Sequence, residues 1–245
     1  MKNRAEISSE SAKNVMTDER LRKRTLQKFI RLGVSIPCTD GVIISPDCAI
    51  GENTVILPST IIKEGCKIGN GCVIGPSTVL YKTTVGNGTT LNFVQAENAE
   101  IAANVTAGPF VHIRPGSEIA DDVRIGNFVE VKNSVIGTKT AISHLTYVGD
   151  SDVGSGVNFG CGVVTVNFNG KTKNRCRIAD DAFIGCNTNL IAPVEIGERA
   201  YTAAGSTITE NVPSDALAIA RERQIVKADW VKNKNPYRDK KQAEN

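Results

Sequence analysis

Aliphatic side chains recur every six positions along most of the chain: Ile44, Ile50, Ile56, Ile62, Ile68, Ile74 and Leu80. After a slip of register the pattern resumes at Ile101, Ala107, Ile113, Ile119, Ile125 and Val131. A second slip leads to Ile136, Ile142 and Val148, and the run closes with Ile178, Ile184, Leu190, Ile196, Thr202 and Ile208. In the first run a small residue stands four places after each aliphatic one: Cys48, Thr54, Thr60, Cys66, Cys72, Thr78 and Thr84. Gly often follows the aliphatic residue directly, as in Ile50-Gly51, Ile68-Gly69 and Ile74-Gly75. This period fits neither the helical repeat nor the two-residue alternation of an open sheet. It is the sequence signature of a β-solenoid. Each hexad supplies one short strand and a corner, with the aliphatic and small residues pointing into a narrow core. Gly provides corner conformations that a Cβ would hinder. Successive coils then stack by parallel pairing, about 4.8 Å apart. The predicted fold is therefore all-β, a parallel β-helix over 36–210.

Two flanks and one interruption fall outside the repeat. Residues 8–32 are rich in helix formers, place Leu26, Phe29 and Ile30 at helical spacing and meet a stop at Gly33, which predicts a helical arm within 1–35 that caps the solenoid. A basic tail, from Lys227 to Lys241, occupies the end of a third segment, 211–245. Inside the repeat, 165–177 (TVNFNGKTKNRCR) breaks the six-residue register with Asn, Gly and basic residues, so it is expected to project as a loop. Loops on rigid scaffolds often carry function.

Composition narrows the class. Apolar residues make up 40% of the chain and aromatics only 5%, which suits many short strands better than helices around an aromatic core. A net charge of +3 gives no reason to expect a nucleic-acid partner. No apolar run approaches the ~20 residues of a membrane span, and the opening MKNRAEISSESAKN lacks a signal-peptide core. A soluble, cytoplasmic protein is expected. The seven Cys include no CxxC pair, against both a disulfide framework and a zinc knuckle, and most are expected to be small core residues.

Candidate chemistry gathers in the middle of the chain. The only histidines are His112 and His144, too few for the three-His zinc site found on some solenoids. His144 lies in SHLTYVGD, where the hexad pattern loosens. Arg114 in HIRPGS and Glu130 and Lys132 in NFVEVK precede it at spacings near one coil, Arg114 to Lys132 being eighteen residues. Residues one coil apart stack on one face, so His144 is expected to share an edge with the two cations, as a base beside a phosphate pocket. A solvated charged face is the plainer reading of the same residues.

GPFVHIRPGSEIADDVRIGNFVEVKNSVIG, SHLTYVGDSDVGSGVNFGCG, TVNFNGK, AFIGCNTNLIAPVEIG, YTAAGSTIT and ALAIARERQ resemble the hexapeptide-repeat transferases. Within that family they resemble the acetyltransferase half of the bifunctional bacterial enzymes that make UDP-N-acetylglucosamine, a cell-wall precursor. The likeness runs from about Ala12 to Lys234. It implies a left-handed β-helix, a homotrimer, and transfer of acetyl from acetyl-CoA to glucosamine 1-phosphate, with no metal required. By the same resemblance His144 is the general base. Arg114, Lys132 and Lys173 hold the sugar phosphate, Tyr147 and Asn158 hold the sugar, and Glu130 lies beside them. Cys161, Asn167, Phe168, Cys186, Ala204 and Arg221 meet acetyl-CoA. Phe168 stands where the family usually has Tyr, and Cys186 where it has small polar residues. No uridyltransferase domain or Gly-rich nucleotide loop is recognisable, so a free-standing second half is expected, with uridyl transfer supplied by a separate protein. Two rivals stay open: another phosphorylated amino sugar as acceptor, and a catalytically silent subunit that trimerises a separate nucleotidyltransferase.

Overall fold

The computed structural model describes residues 19–234. Helix Glu19–Arg31 leads into short strands that wind through three sheets as a left-handed parallel β-helix. Face 1 has ten strands, from Ile43–Ile44 to Thr207–Ile208, and face 2 has nine, from Ala49–Ile50 to Val194–Ile196. Face 3 has ten, from Val55–Ile56 to Leu217–Ala218. The chain visits the faces in rotation, so each coil lies on the one before: Ile44 pairs with Ile62, and Ile62 with Leu80.

The core follows from the hexads. Every aliphatic position named above is 8% exposed or less. The small residues do more than leave room. Thr54 Oγ1 donates to the Gly69 carbonyl at 2.8 Å and accepts from the Cys72 N–H at 3.0 Å, so one buried hydroxyl joins two coils. Thr89 repeats the device with Ala102 and Val105. A hydroxyl with both roles satisfied is cheap to bury. Gly75, at φ 109°, takes the corner backbone expected of the Gly after the aliphatic residue, but Gly51 and Gly69 have a different reason. Gly51 and Gly69 do not take left-handed backbone, whereas Asn53 and Gly71, two residues later, do. A Cβ at Gly51 would lie 2.7 Å from the Asn70 nitrogen of the next coil, and one at Gly69 2.8 Å from that of Asn87. At these two, close stacking and not φ excludes the side chain.

The register slips are shortened coils. Lys67 pairs with Thr84 and Ile68 with Val85, seventeen residues apart instead of eighteen. The missing residue reverses the expectation for Thr84, which is exposed, while Thr83 is fully buried in its place.

At one end Leu26 and Phe29 are buried over the first coil, and Arg22 donates to the carbonyls of Thr39 and Val42 at 3.0 and 3.1 Å. Ile30 is 47% exposed, so the buried stripe is narrower than its spacing suggested. Gly33, at φ 87°, turns the chain away. At the other end strand Leu217–Ala218 pairs with Tyr201–Thr202, which carries the coils past residue 210. Every residue from 219 to 234 is exposed. Residues 8–18 of the expected helix and 235–241 of the basic tail lie outside the described residues. Among the described residues no helix is long and apolar enough to cross a membrane.

Candidate active site

Face 1 is bounded by two corners, and the candidate residues divide between them. The corner leading to face 2 carries the charges. Ile113 pairs with Val131, which sets Arg114 and Lys132 at matching positions one coil apart. Lys132 in turn pairs with Gly149. Arg114 Nη1 donates to Glu130 Oε1 at 2.8 Å, and the hydrogen bond holds the guanidinium above its ordinary pKa. Lys132 Nζ lies 3.4 Å from Asp150 Oδ2. Asp150, only 4% exposed, also accepts from Asn133 Nδ2 and Asn167 Nδ2, each at 2.5 Å. Burial pushes this carboxyl up, but the Asn133 bond, the Lys132 charge and the Asn167 bond outweigh it and hold the pKa below 3.8.

The interruption is a small ordered hairpin on the same corner. Ser151 pairs with Cys176, twenty-five residues on, so the extra length leaves the coil and returns to it. Asn169 Oδ1 accepts from the N–H groups of Lys171 and Thr172, which closes the tip, and Phe168 bridges Lys173 antiparallel. Arg175 anchors the base on the carbonyls of Asn133 and Ser151, both at 3.0 Å, and on Asp152. The returning arm brings Lys173 to Lys132. The contact lowers the Lys173 pKa and raises that of Lys132, whose ammonium Asp150 also favours. Lys132 and Lys173 therefore gather at one buried carboxylate, and Arg114, paired with Glu130, stands one coil before them. Gly149 completes the corner because a Cβ there would stand 2.3 Å from the Tyr147 hydroxyl. That hydroxyl accepts from Asn167 at 3.3 Å.

The corner leading from face 3 carries His144. It pairs with Asn127, and His144 Nδ1 meets Asn127 Oδ1 at 2.9 Å. The amide oxygen only accepts, so Nδ1 bears the proton and the exposed Nε2 keeps its lone pair. Ile142 pairs with Phe159, Phe159 with Ile184 and Ile184 with Thr202. Two residues beyond each partner lie His144, Cys161, Cys186 and Ala204, a single column. Before His144 this corner is bulky: Phe93 meets Phe110 at a 52° tilt with centroids 5.3 Å apart, Phe110 stacks on Phe128 at 5.2 Å, and Leu145 follows. After His144 it is shaved to Gly162, Asn187 and Gly205, and Arg221 Cδ lies 3.7 Å from where a Gly205 Cβ would stand. Between the corners an open groove of about 640 Å³ crosses face 1, floored by Gln95, His112, Glu130 and Tyr147. Asn158 sits on face 3, between Ala141 and Phe183.

This arrangement corrects one expectation. His144 does not share an edge with Arg114 and Lys132. Its twelve-residue separation from Lys132 is two-thirds of a coil, which lands two corners on, where face 3 leads back to face 1. Cys161, Cys186 and Ala204 share the His144 corner, whereas Asn167 and Phe168 stand with the cations.

The sequence compares with known proteins as this geometry leads one to expect. The bacterial transferase hexapeptide model (six repeats) matches residues 47–82, 98–133 and 175–210. "Bifunctional protein GlmU" of Halalkalibacterium halodurans is 52% identical over 215 residues, 88% of this chain and 47% of that protein. The chain belongs to the hexapeptide-repeat transferases. "Bifunctional protein GlmU" of Shouchella clausii is likewise 52% identical over 212 residues, 86% of this chain and 47% of its own length. That of Acetivibrio thermocellus is 50% identical over 222 residues, 91% and 48%. The chain thus spans about half the length of the curated relatives it matches. Within this hexapeptide transferase, His144, Tyr147, Asp150, Asn158, Asn167 and Lys173 all fall between the second and third matched spans, where the hairpin and the shortened coils depart from plain repeats.

Two residues of the site escaped the sequence reading. Asn127 was signalled only by lying one short coil before His144. Asp150 carries no signal in the sequence of its own; its burial and its three partners, Lys132, Asn133 and Asn167, mark it.

Proposed function

We propose that this hexapeptide transferase moves the acetyl group of acetyl-CoA to the amine of glucosamine 1-phosphate, releasing N-acetylglucosamine 1-phosphate and the CoA thiol. The observation that carries the reading is the gathering of Lys132 and Lys173 at the buried Asp150, with Arg114 one coil before them, a cationic corner beside a sheet that also presents an imidazole base. Charge-assisted bonds of this kind contribute about 1.5–3 kcal/mol each. Tyr147, Asn158 and Glu130 then meet the sugar. His144 Nε2 takes the proton that the ammonium of the substrate must lose before it attacks the thioester carbonyl. The oxyanion is held by backbone N–H groups, and alignment of the two substrates supplies much of the rate. No step of this sequence calls on a metal.

The donor lies along the shaved corner, past Cys161, Cys186 and Ala204 to Arg221, with Asn167 and Phe168 contributing from the cationic side. His144 and Gly149 are separated by five residues, up to about 16 Å of extended chain, whereas the amine and phosphate sit on neighbouring ring carbons. One chain's base therefore serves a pocket completed by a neighbour, and the protein works as a homotrimer packed across the face 1 groove. It makes a cell-wall precursor in the cytoplasm.

Steady-state release of CoA thiol over a panel of hexosamines, with and without the 1-phosphate, tests the assignment. Glucosamine 1-phosphate should be the preferred acceptor. Equal turnover of plain glucosamine would remove the phosphate pocket from the mechanism, and no thiol release with any acceptor would leave a silent subunit.

A further inference from the structure

The corner that carries His144 also carries a pair of cysteines. Phe159 pairs with Ile184, and two residues on from each stand Cys161 and Cys186. The Asn187 N–H donates to the Cys161 carbonyl at 2.7 Å, and the Gly160 N–H to the Ile184 carbonyl at 2.7 Å, so the two backbones stay paired through the turn. Strands so paired lie about 4.8 Å apart, inside the roughly 4.4–6.8 Å between Cα atoms that a disulfide spans. Cys161 is half-buried and Cys186 exposed; both are free thiols.

The other cysteines are of a different kind. Cys48, Cys66, Cys72 and Cys176 are 5% exposed or less. Cys48 Sγ and Cys72 Sγ each approach a carbonyl at 3.1 Å, and burial pushes the Cys176 thiol up to about 12. Cys48 and Cys66 also stand at matching positions one coil apart, but burial keeps all four thiols from a soluble reagent. Cys38 is half-buried and precedes the first strand. Only on the His144 corner do two reachable thiols stand at matching positions of adjacent coils.

We propose that Cys186 and Cys161 form a dithiol site that takes a low-molecular-weight disulfide and closes to an intrachain disulfide. The Cys186 thiolate attacks one sulfur of the small disulfide, forming a mixed disulfide and expelling one small thiolate, which takes up the proton Cys186 gave up. The Cys161 thiolate then attacks the Cys186 sulfur and expels the second small thiol. The protein loses two hydrogens and two electrons, and the reagent gains them as two thiols. The class of reagent follows from position, and this step rests on the donor reading above. Acetyl transfer releases a thiol on this corner, so the disulfide of that thiol carries the groups the corner would bind. Closure across it would then exclude the donor.

The experiment treats the full chain with CoA disulfide or, separately, glutathione disulfide, blocks remaining thiols by alkylation and maps the peptides by mass spectrometry. A Cys161–Cys186 cross-link is expected, with two thiols released per chain and reversal by dithiothreitol. Cys161→Ser should instead stop at a mixed disulfide on Cys186 with one thiol released. Acetyl-CoA at about ten times its Kd should slow closure about tenfold. A stable adduct on wild-type Cys186 without the cross-link, or full alkylation of both residues, would overturn the proposal. A cross-link that forms at the same rate with either reagent and is indifferent to acetyl-CoA would keep the dithiol site and sink the donor corner instead.

Discussion

On the corner between faces 1 and 2, Lys132 rests on Asp150, a carboxylate only 4% exposed, and Lys173 crowds in beside it. On the corner between faces 3 and 1, His144 is exposed and held by one neutral partner, Asn127. Both corners border the same sheet, yet they fix their chemistry in different ways. Cations that must stay charged and clustered need a buried counter-charge, because their mutual repulsion would otherwise splay them into water. A base must begin neutral and reachable. A neutral amide sets the tautomer and orients the ring without adding a charge to the corner.

The comparison breaks most visibly at His144. His144→Ala should lower kcat by about 10²–10⁴ and move stability by no more than ~0.5 kcal/mol, since the side chain is exposed. Thiol-release kinetics and thermal unfolding measure both. A folded variant that turned over like the wild type would end the role of that corner as the base.

Lys132→Ala should act on binding. Loss of about 1.5–3 kcal/mol raises the KM for glucosamine 1-phosphate roughly 10–150-fold, with a smaller change in kcat. Plain glucosamine should be nearly blind to the substitution. If both acceptors suffer equally, the cationic corner serves the fold and not the phosphate.

Asn127→Ala asks how much orientation matters. Loss of one hydrogen bond of about 1 kcal/mol should cost roughly fivefold in kcat and leave the acceptor KM unchanged. A change in KM alone would place Asn127 in the binding site, not behind the base.

An effect of similar size, read on stability and not on rate, belongs to Asp150. Its folded pKa is lowered, so its stabilisation is fully present above 3.8 and is lost as pH falls through the lowered value. Asp150→Asn should be about 1 kcal/mol less stable than wild type at neutral pH, and the two should converge below pH 3.8. Denaturant titrations at several pH values follow this difference. A gap that stays constant down to strong acid would mean that the carboxylate charge is not what anchors Lys132.

Much of this molecule could be read from residue order alone. The six-residue period makes the solenoid legible because each coil repeats one local solution: an aliphatic side chain inward, a small hydroxyl or thiol bridging coils, and a residue too small to block the coil above. Arg114 and Lys132 could be matched for the same reason, since eighteen residues is one full turn where no residue is missing. The helical arm was equally plain in Leu26 and Phe29, which are both buried. Position around the prism was not legible. A coil shortened by one residue, as at Leu80 to Val85, leaves the spacing of aliphatics almost unchanged but swaps Thr83 for Thr84 in the core. The same arithmetic put His144 on the wrong corner, because a separation of twelve residues can be read as a short coil or as two faces of a full one. Only the paired strands choose between them. Partners such as Asn127 and Asp150 were decided by tertiary structure too, since a carboxylate's worth depends on its burial and on what other coils bring to it. The hairpin shows the limit best: its composition announced a break, but only the anchoring of Arg175 and the return of the chain to Lys132 made it part of a site. Local pattern determined what repeats, and the accumulated turn of the coils determined what meets.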